Sequence, residues 1–254
     1  MKKILIFISL LLIATASFAQ KISYSQVVEL YGDSIVSVNV LRKDGTTYNG
    51  TGFIIDKNGL VATAGHVVKD AALINFTFKN GSISKEATLL AVSPDENIDL
   101  AVLQIPNKNL PYVILGDSSQ VIAGQKISVI GCPHRLQNTI TNGLISQVRQ
   151  ISPEVIWFQI SAPISPSSSG SPVFNKEGKV IAIALSSLKG EDIQNINFAI
   201  PSNYLFDLLN ENKIPFNNQD KPAEEKEFSL TQKIINHIKT AWEILKEQFN
   251  FIFN

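Results

Sequence analysis

From Ile35 to Ile200 the chain is a close succession of short β-rich runs, a pattern that restricts it to β-sandwiches or barrels. Strands are expected over Ile35–Leu41, Thr51–Ile55, Leu60–Thr63, Ala72–Phe78, Glu86–Ala91, Leu100–Ile105, Lys126–Gly131, Thr139–Val148, Val155–Ile160, Val180–Leu185 and Asn197–Ile200. Asp44-Gly45, Asn58-Gly59, Asn80-Gly81 and Glu177-Gly178 fall between runs and suit the positive φ that tight connections demand. The stretch from Pro106 to Ala123 reads as a bridge between two halves.

Helices are expected on either side of this β-rich body. One covers Tyr24–Tyr31; another starts near Ser202, where Tyr204, Leu205, Leu208 and Leu209 share a face and the serine can cap the first turn. Beyond it, residues 213–228 read as a linker, polar and proline-interrupted from Asn217 to Glu227, and residues 229–254 read as an amphipathic helix. Its apolar residues Ile235, Ile238, Trp242, Leu245, Phe249 and Ile252 recur in alternating steps of three and four, the period of a coiled-coil seam. Trp and Phe are poor knobs for such a seam, and the greasy end suits a protein groove or a membrane interface. Packing on the chain's own barrel, self-association into a homo-oligomer and weak membrane contact therefore all remain open.

At the other end, Met1-Lys2-Lys3, an apolar run from Ile4 to Ile13 and small residues through Ala19 form a secretory signal peptide over residues 1–19. That run is shorter than the ~20 residues needed to span a bilayer. Export to a periplasm or out of the cell is expected, with a folded body over residues 20–212. Twenty-two basic residues balance 22 acidic ones, and losing Lys2 and Lys3 tips the balance slightly acidic, so nucleic acid is not expected as a partner. Cys132 is the single cysteine and is expected to be a buried filler, since no internal disulfide can form.

Three segments carry residues suited to acyl transfer: Thr63-Ala64-Gly65-His66, Asn97-Ile98-Asp99-Leu100 and Pro166-Ser167-Ser168-Ser169-Gly170-Ser171-Pro172. Ser169 would be the nucleophile, His66 the base that takes its proton, and Asp99 the carboxylate that fixes the imidazole tautomer. The order His, Asp, Ser separates the chain from subtilisin and α/β-hydrolase arrangements, and no Gly-x-Ser-x-Gly elbow surrounds Ser169. Asp99 precedes an apolar strand, where a histidine partner offsets the cost of burying a carboxylate; its rival Asp95 lacks that context and reads as a solvated loop residue. His134 and His237 have no acidic or cysteine partners at ligand spacing, so no metal and no cofactor are expected.

Thr51-Gly52-Phe53-Ile54-Ile55, Leu115-Gly116-Asp117-Ser118, Ile130-Gly131-Cys132-Pro133, Thr139 to Ser146 and Asn197-Phe198-Ala199-Ile200-Pro201 resemble the HtrA (Deg) branch of the chymotrypsin-fold serine proteases. The likeness covers about Tyr24 to Asn210 and assigns His66, Asp99 and Ser169 to the triad. It implies an all-β fold of two six-stranded Greek-key barrels, with an N-terminal helix and C-terminal helices added and the site in the cleft between barrels. Relatives usually carry a peptide-binding PDZ domain after the protease; the stretch beyond Asn210 is too short for one. The segment from Arg42 to Gly50 is also short, leaving out a long regulatory loop that some relatives insert there.

The nucleophile segment departs from the family's usual Gly-Asn-Ser-Gly-Gly-Pro. By resemblance, the backbone N–H groups of Ser167 and Ser169 form the oxyanion hole, and a serine at 167 is strained by about 1–2 kcal/mol if that position needs a positive φ. Ser168 stands where chymotrypsin-type zymogens keep an aspartate, so activation by N-terminal ion pairing is not expected. Pro163 stands where trypsin-like enzymes keep the aspartate of the specificity pocket, so cleavage after Lys or Arg is not expected either. Ile164, Leu185 and Ser187 are the candidate pocket residues, which suggests a small or medium apolar residue before the cleaved bond. The expectation is an exported serine endopeptidase acting on exposed or unfolded polypeptide. Its competitor is a protease-fold peptide-binding or scaffold protein that has lost turnover.

Overall fold

The computed structural model describes residues 22–132, 138–187 and 196–217. The expected signal peptide, the expected C-terminal helix, His134 and His237 lie outside these residues. Helix α1 (Tyr24–Tyr31) opens the body with a capping box: Ser23 Oγ accepts the Gln26 N–H at 3.3 Å and Gln26 Oε1 accepts the Ser23 N–H at 2.8 Å. A 3-10 turn, Gly32–Ser34, leads into the first strand.

Strands β1 (Ile35–Arg42), β2 (Thr47–Asp56), β3 (Leu60–Ala64), β4 (Ala71–Thr77), β5 (Ile83–Ser84), β6 (Thr88–Val92) and β7 (Leu100–Gln104) form one antiparallel sheet in the order β5-β4-β1-β2-β3-β7-β6. The second sheet contains β8 (Ile114–Leu115), β9 (Lys126–Gly131), β10 (Thr139–Gln150), β11 (Ile156–Ile160), β12 (Pro172–Phe174), β13 (Lys179–Ser187) and β14 (Asn197–Pro201). Its order is β12-β9-β10-β11-β14-β13, with β8 added parallel to β13, and a β12–β13 pairing closes those six strands into a barrel. The all-β fold in two halves is as expected. Its first half differs in detail: it has seven strands, and among the described residues no pairing joins β5 to β6, so it is a half-barrel rather than a closed one.

Alternation explains which side chains turn inward. It holds for β1, where Val36, Val38 and Val40 are buried, whereas β3 and β7 are covered on both faces, the consecutive Ala101, Val102 and Leu103 all being fully buried. The main apolar cluster runs from the first sheet across to Ile130, Cys132, Phe174, Ile183 and Leu205, so the two halves share a core. A smaller cluster around Ile145, Phe158 and Val173 fills the closed barrel. Helix α1 seals one side, with Tyr31 stacked on Phe174 of β12 at 5.2 Å between ring centroids.

The final helix, α3 (Asn203–Glu211), buries Leu205, Leu208 and Leu209 as its pattern predicts. Ser202 does not cap it. Its hydroxyl instead donates to the Gly116 carbonyl at 2.7 Å, because the buried carbonyl of the bridge offers a partner that water cannot supply. Ile214 and Phe216, assigned to the linker from sequence, pack against the core, Phe216 beside Phe206.

Candidate active site

His66 lies in a single helical turn, α2 (Gly65–Val68), directly after β3. A helix start leaves N–H groups without partners, and the flanking Ala64 has no side chain to supply one. Asp99, at the entry to β7, fills that role from the neighbouring strand. Its backbone carbonyl accepts the Gly65 N–H at 3.1 Å and its Oδ1 accepts the His66 N–H at 2.7 Å. The other carboxylate oxygen, Oδ2, meets His66 Nδ1 in a short contact. A Cβ on residue 65 would lie 2.9 Å from Asp99 Oδ1, so only glycine admits the carboxylate this closely. The side chains of His66 and Asp99 keep 32% and 21% of their exposure, so the imidazole remains open to solvent while held in place.

Ser169 lies in the turn before β12, on the second sheet, and is 7% exposed. The peptides around it are anchored one by one. Thr51 Oγ1 donates to the Ser167 carbonyl at 2.8 Å, the Ser168 N–H donates to the Ser165 carbonyl at 3.0 Å, and the Ser171 N–H to the Ser168 carbonyl at 3.1 Å. The Thr51 N–H donates to the Ser169 carbonyl at 2.9 Å and the Gly170 N–H to the Ala184 carbonyl at 2.7 Å. Two N–H groups are left over: among the described residues, those of Ser167 and Ser169 have no acceptor. Ser167 holds φ at +71°, the left-handed region expected to strain a serine.

Glycines let the two turns meet. Residue 170 has φ of +88°, and a Cβ there would lie 3.0 Å from the Ala64 N. At residue 50 a Cβ would lie 2.6 Å from Val67 and 3.2 Å from the Ser169 carbonyl oxygen. The turn carrying His66 and the turn carrying Ser169 thus press against the same piece of β2. Among the described residues no hydrogen bond joins the Ser169 hydroxyl to the imidazole, a looseness common before substrate is bound.

The expected pocket residues are not gathered in the same way. Leu185 is 6% exposed and belongs to the shared core. Ile164 packs at the edge of the barrel's own cluster, and Ser187 stands in β13 opposite Asn197. Asp95 forms a local turn, its Oδ1 accepting the Asn97 N–H at 2.8 Å. Cys132 is buried, and burial pushes its thiol up to about 11. Sequence reasoning missed Thr51, and it missed Trp157, whose indole N–H donates to the Asn97 carbonyl at 2.7 Å. It also missed Tyr48, edge-on to the His66 ring at 5.9 Å, with the Arg42 guanidinium 4.6 Å from its centroid.

A half-barrel joined to a closed barrel, with the histidine on one and the serine turn on the other, is the architecture of the chymotrypsin-like serine peptidases. Known proteins agree with that geometry. The family model described as trypsin-like peptidase domain matches residues 50–183, and the chain belongs to this family, with relatives of the HtrA type. A probable periplasmic serine endoprotease DegP-like from Chlamydia muridarum is 38% identical over 158 residues, 60% of this chain and 31% of the relative. Human serine protease HTRA4 is 34% identical over 205 residues, 77% of this chain and 41% of the relative. The chain thus spans 31% and 41% of these relatives' length. Among solved structures, the serine endoprotease from Yersinia pestis superposes with a TM-score of 0.65 at 31% identity, covering 75% of this chain and 66% of the other. The HtrA-type protease AlgW with tripeptide gives 0.67 at 27% identity, covering 75% and 63%.

Proposed function

We propose that the chain is an exported serine endopeptidase that cleaves exposed or unfolded polypeptide through an acyl-enzyme on Ser169. The observation that carries this reading is the pairing of a carboxylate-held His66 with a serine turn whose two N–H groups have no acceptor among the described residues. In the proposed reaction His66 Nε2 takes the Ser169 proton as Oγ attacks the peptide carbonyl. The developing oxyanion is received by the N–H groups of Ser167 and Ser169. The imidazolium, stabilised by Asp99, then protonates the leaving amine, and water releases the acyl group by the same route in reverse. No cofactor takes part. Pro163 in place of an acidic pocket base supports a small or medium apolar residue before the cleaved bond. The segment over residues 1–19 supports export, to a periplasm or beyond, and the word periplasmic in the name of the Chlamydia muridarum relative agrees.

A second reading, a protease-fold peptide binder with impaired turnover, is favoured by one observation, the φ of +71° at Ser167. One experiment separates the two. The purified mature chain is exposed to a fluorophosphonate probe and to denatured casein. The endopeptidase reading expects label on Ser169 and digestion of casein, both absent in Ser169→Ala. Label and digestion that persist in Ser169→Ala refute it. Peptide binding without label, with labelling gained in Ser167→Gly, supports the second reading.

A further inference from the structure

Among the described residues, every hydrogen bond that ties the nucleophile turn to the first sheet passes through Thr51 of β2. Thr51 is fully buried. Its hydroxyl accepts the Cys132 N–H at 2.9 Å, which commits its single proton to the Ser167 carbonyl at 2.8 Å. Its backbone N–H holds the Ser169 carbonyl at 2.9 Å. Its own carbonyl accepts the Thr63 hydroxyl at 2.7 Å, which fixes residue 51 to β3, the strand that leads into His66.

Both bonds to the turn fall just after Ser167, the one residue of that turn other than glycine held at positive φ. An L-amino acid at positive φ relaxes by rotating the peptides next to it. The peptide after Ser167 cannot follow, because Thr51 holds its carbonyl and the Ser165 carbonyl accepts its N–H at 3.0 Å. A glycine at position 167 would need no such restraint, since positive φ costs it little.

We infer that Thr51 is a positioning residue of this site: by holding the Ser167 carbonyl it keeps a strained serine in the conformation that leaves the N–H groups of residues 167 and 169 open to the reacting oxygen. The inference rests on the reading of Ser169 as nucleophile. It predicts a coupling between residues 51 and 167 that simple packing does not.

The test is a double-mutant cycle on the mature chain, with kcat and KM measured on a p-nitrophenyl acyl ester and thermal unfolding followed in parallel. Thr51→Val keeps the volume and removes the hydroxyl. It is expected to lower kcat by about ten- to hundredfold, short of the 10²–10³ for losing an oxyanion donor outright, with KM changed by less than about twofold. Thr51→Ser keeps the hydroxyl and is expected to recover most of that loss. In a Ser167→Gly background the same Thr51→Val change is expected to cost no more than about threefold. Equal losses in the two backgrounds, or a Thr51→Val chain with wild-type kcat, overturn the inference. If Thr51→Val does not fold, Thr51→Ala completes the cycle. Wild-type protein that takes no fluorophosphonate label overturns the reading of the site itself, a result distinct from labelled protein indifferent to Thr51.

Discussion

Asp99 grips His66 at two points, its Oδ1 receiving the backbone N–H at 2.7 Å while Oδ2 meets Nδ1 of the ring. One carboxylate therefore caps the helical turn and, in the proposed mechanism, favours the tautomer with its proton on Nδ1, which frees Nε2 to serve as the base. An asparagine at 99 can still accept the backbone N–H, but its amide nitrogen would face Nδ1. The ring would then carry its proton on Nε2, where it cannot accept one from Ser169. Asp99→Asn is expected to lower kcat by about 10⁴-fold with little change in thermal unfolding. A variant within tenfold of wild type contradicts the assignment.

Ser167→Gly tests the strain at φ of +71° directly. Relief of about 1–2 kcal/mol in the native state is offset by about 0.4–1 kcal/mol from the greater freedom of glycine in the unfolded chain. The gain outweighs the loss, so unfolding should require about 1 kcal/mol more and Tm should rise by about 2–4 °C. A fall in Tm would mean that the turn is not strained at this residue.

Longer strands were legible as runs of β-branched and aliphatic residues bounded by turn residues, and β9, buried along nearly all its length, has the expected bounds, Lys126–Gly131. The two-residue strands Ile83–Ser84 and Ile114–Leu115 were not, because they are too short to carry a period and exist only through partners elsewhere. The same distance hid much of the site. Thr51 and Ser167 are 116 residues apart in sequence, and nothing local to either says that they meet. Trp157 and Asn97 are 60 apart, and the aromatic looked like one more strand residue. Leu185, which the structure buries, shows the opposite problem, since an apolar residue near a cleft and one beneath it look alike in sequence.

Cys132 makes stability depend on alkaline pH. Burial raises the thiol from 9.0 to about 11, so between those values the folded chain keeps a proton that the unfolded chain has released. Stability from this group is intact below about pH 9 and falls as pH rises towards 11, by about 1.4 kcal/mol per unit and about 3 kcal/mol in all. Unfolding free energies measured from pH 8 to 11 should decline less steeply in Cys132→Ala than in wild type. Parallel slopes would contradict a buried, protonated thiol.

Trp157 ties the barrel that bears Ser169 to the loop that bears Asp99. Its indole N–H reaches the Asn97 carbonyl at 2.7 Å, two residues before the carboxylate, while its ring rests 5.6 Å from that of Phe198. Within the loop the Asn97 and Ile98 N–H groups are bound to Asp95 at 2.8 and 2.9 Å, and at its end Asp99 is held by Gly65 and His66. Trp157→Phe keeps an aromatic ring on Phe198 and deletes the donor, so the stability loss should be that of one hydrogen bond, about 1 kcal/mol. Because the freed segment leads into Asp99, kcat should fall by about three- to tenfold with KM nearly constant, as for an interaction that matters more in the transition state than in binding. Trp157→Phe with lowered Tm but unchanged kcat would make the indole a clamp between barrels and nothing more, whereas a fall in kcat measured well below its Tm, where the variant is fully folded, would tie it to the carboxylate.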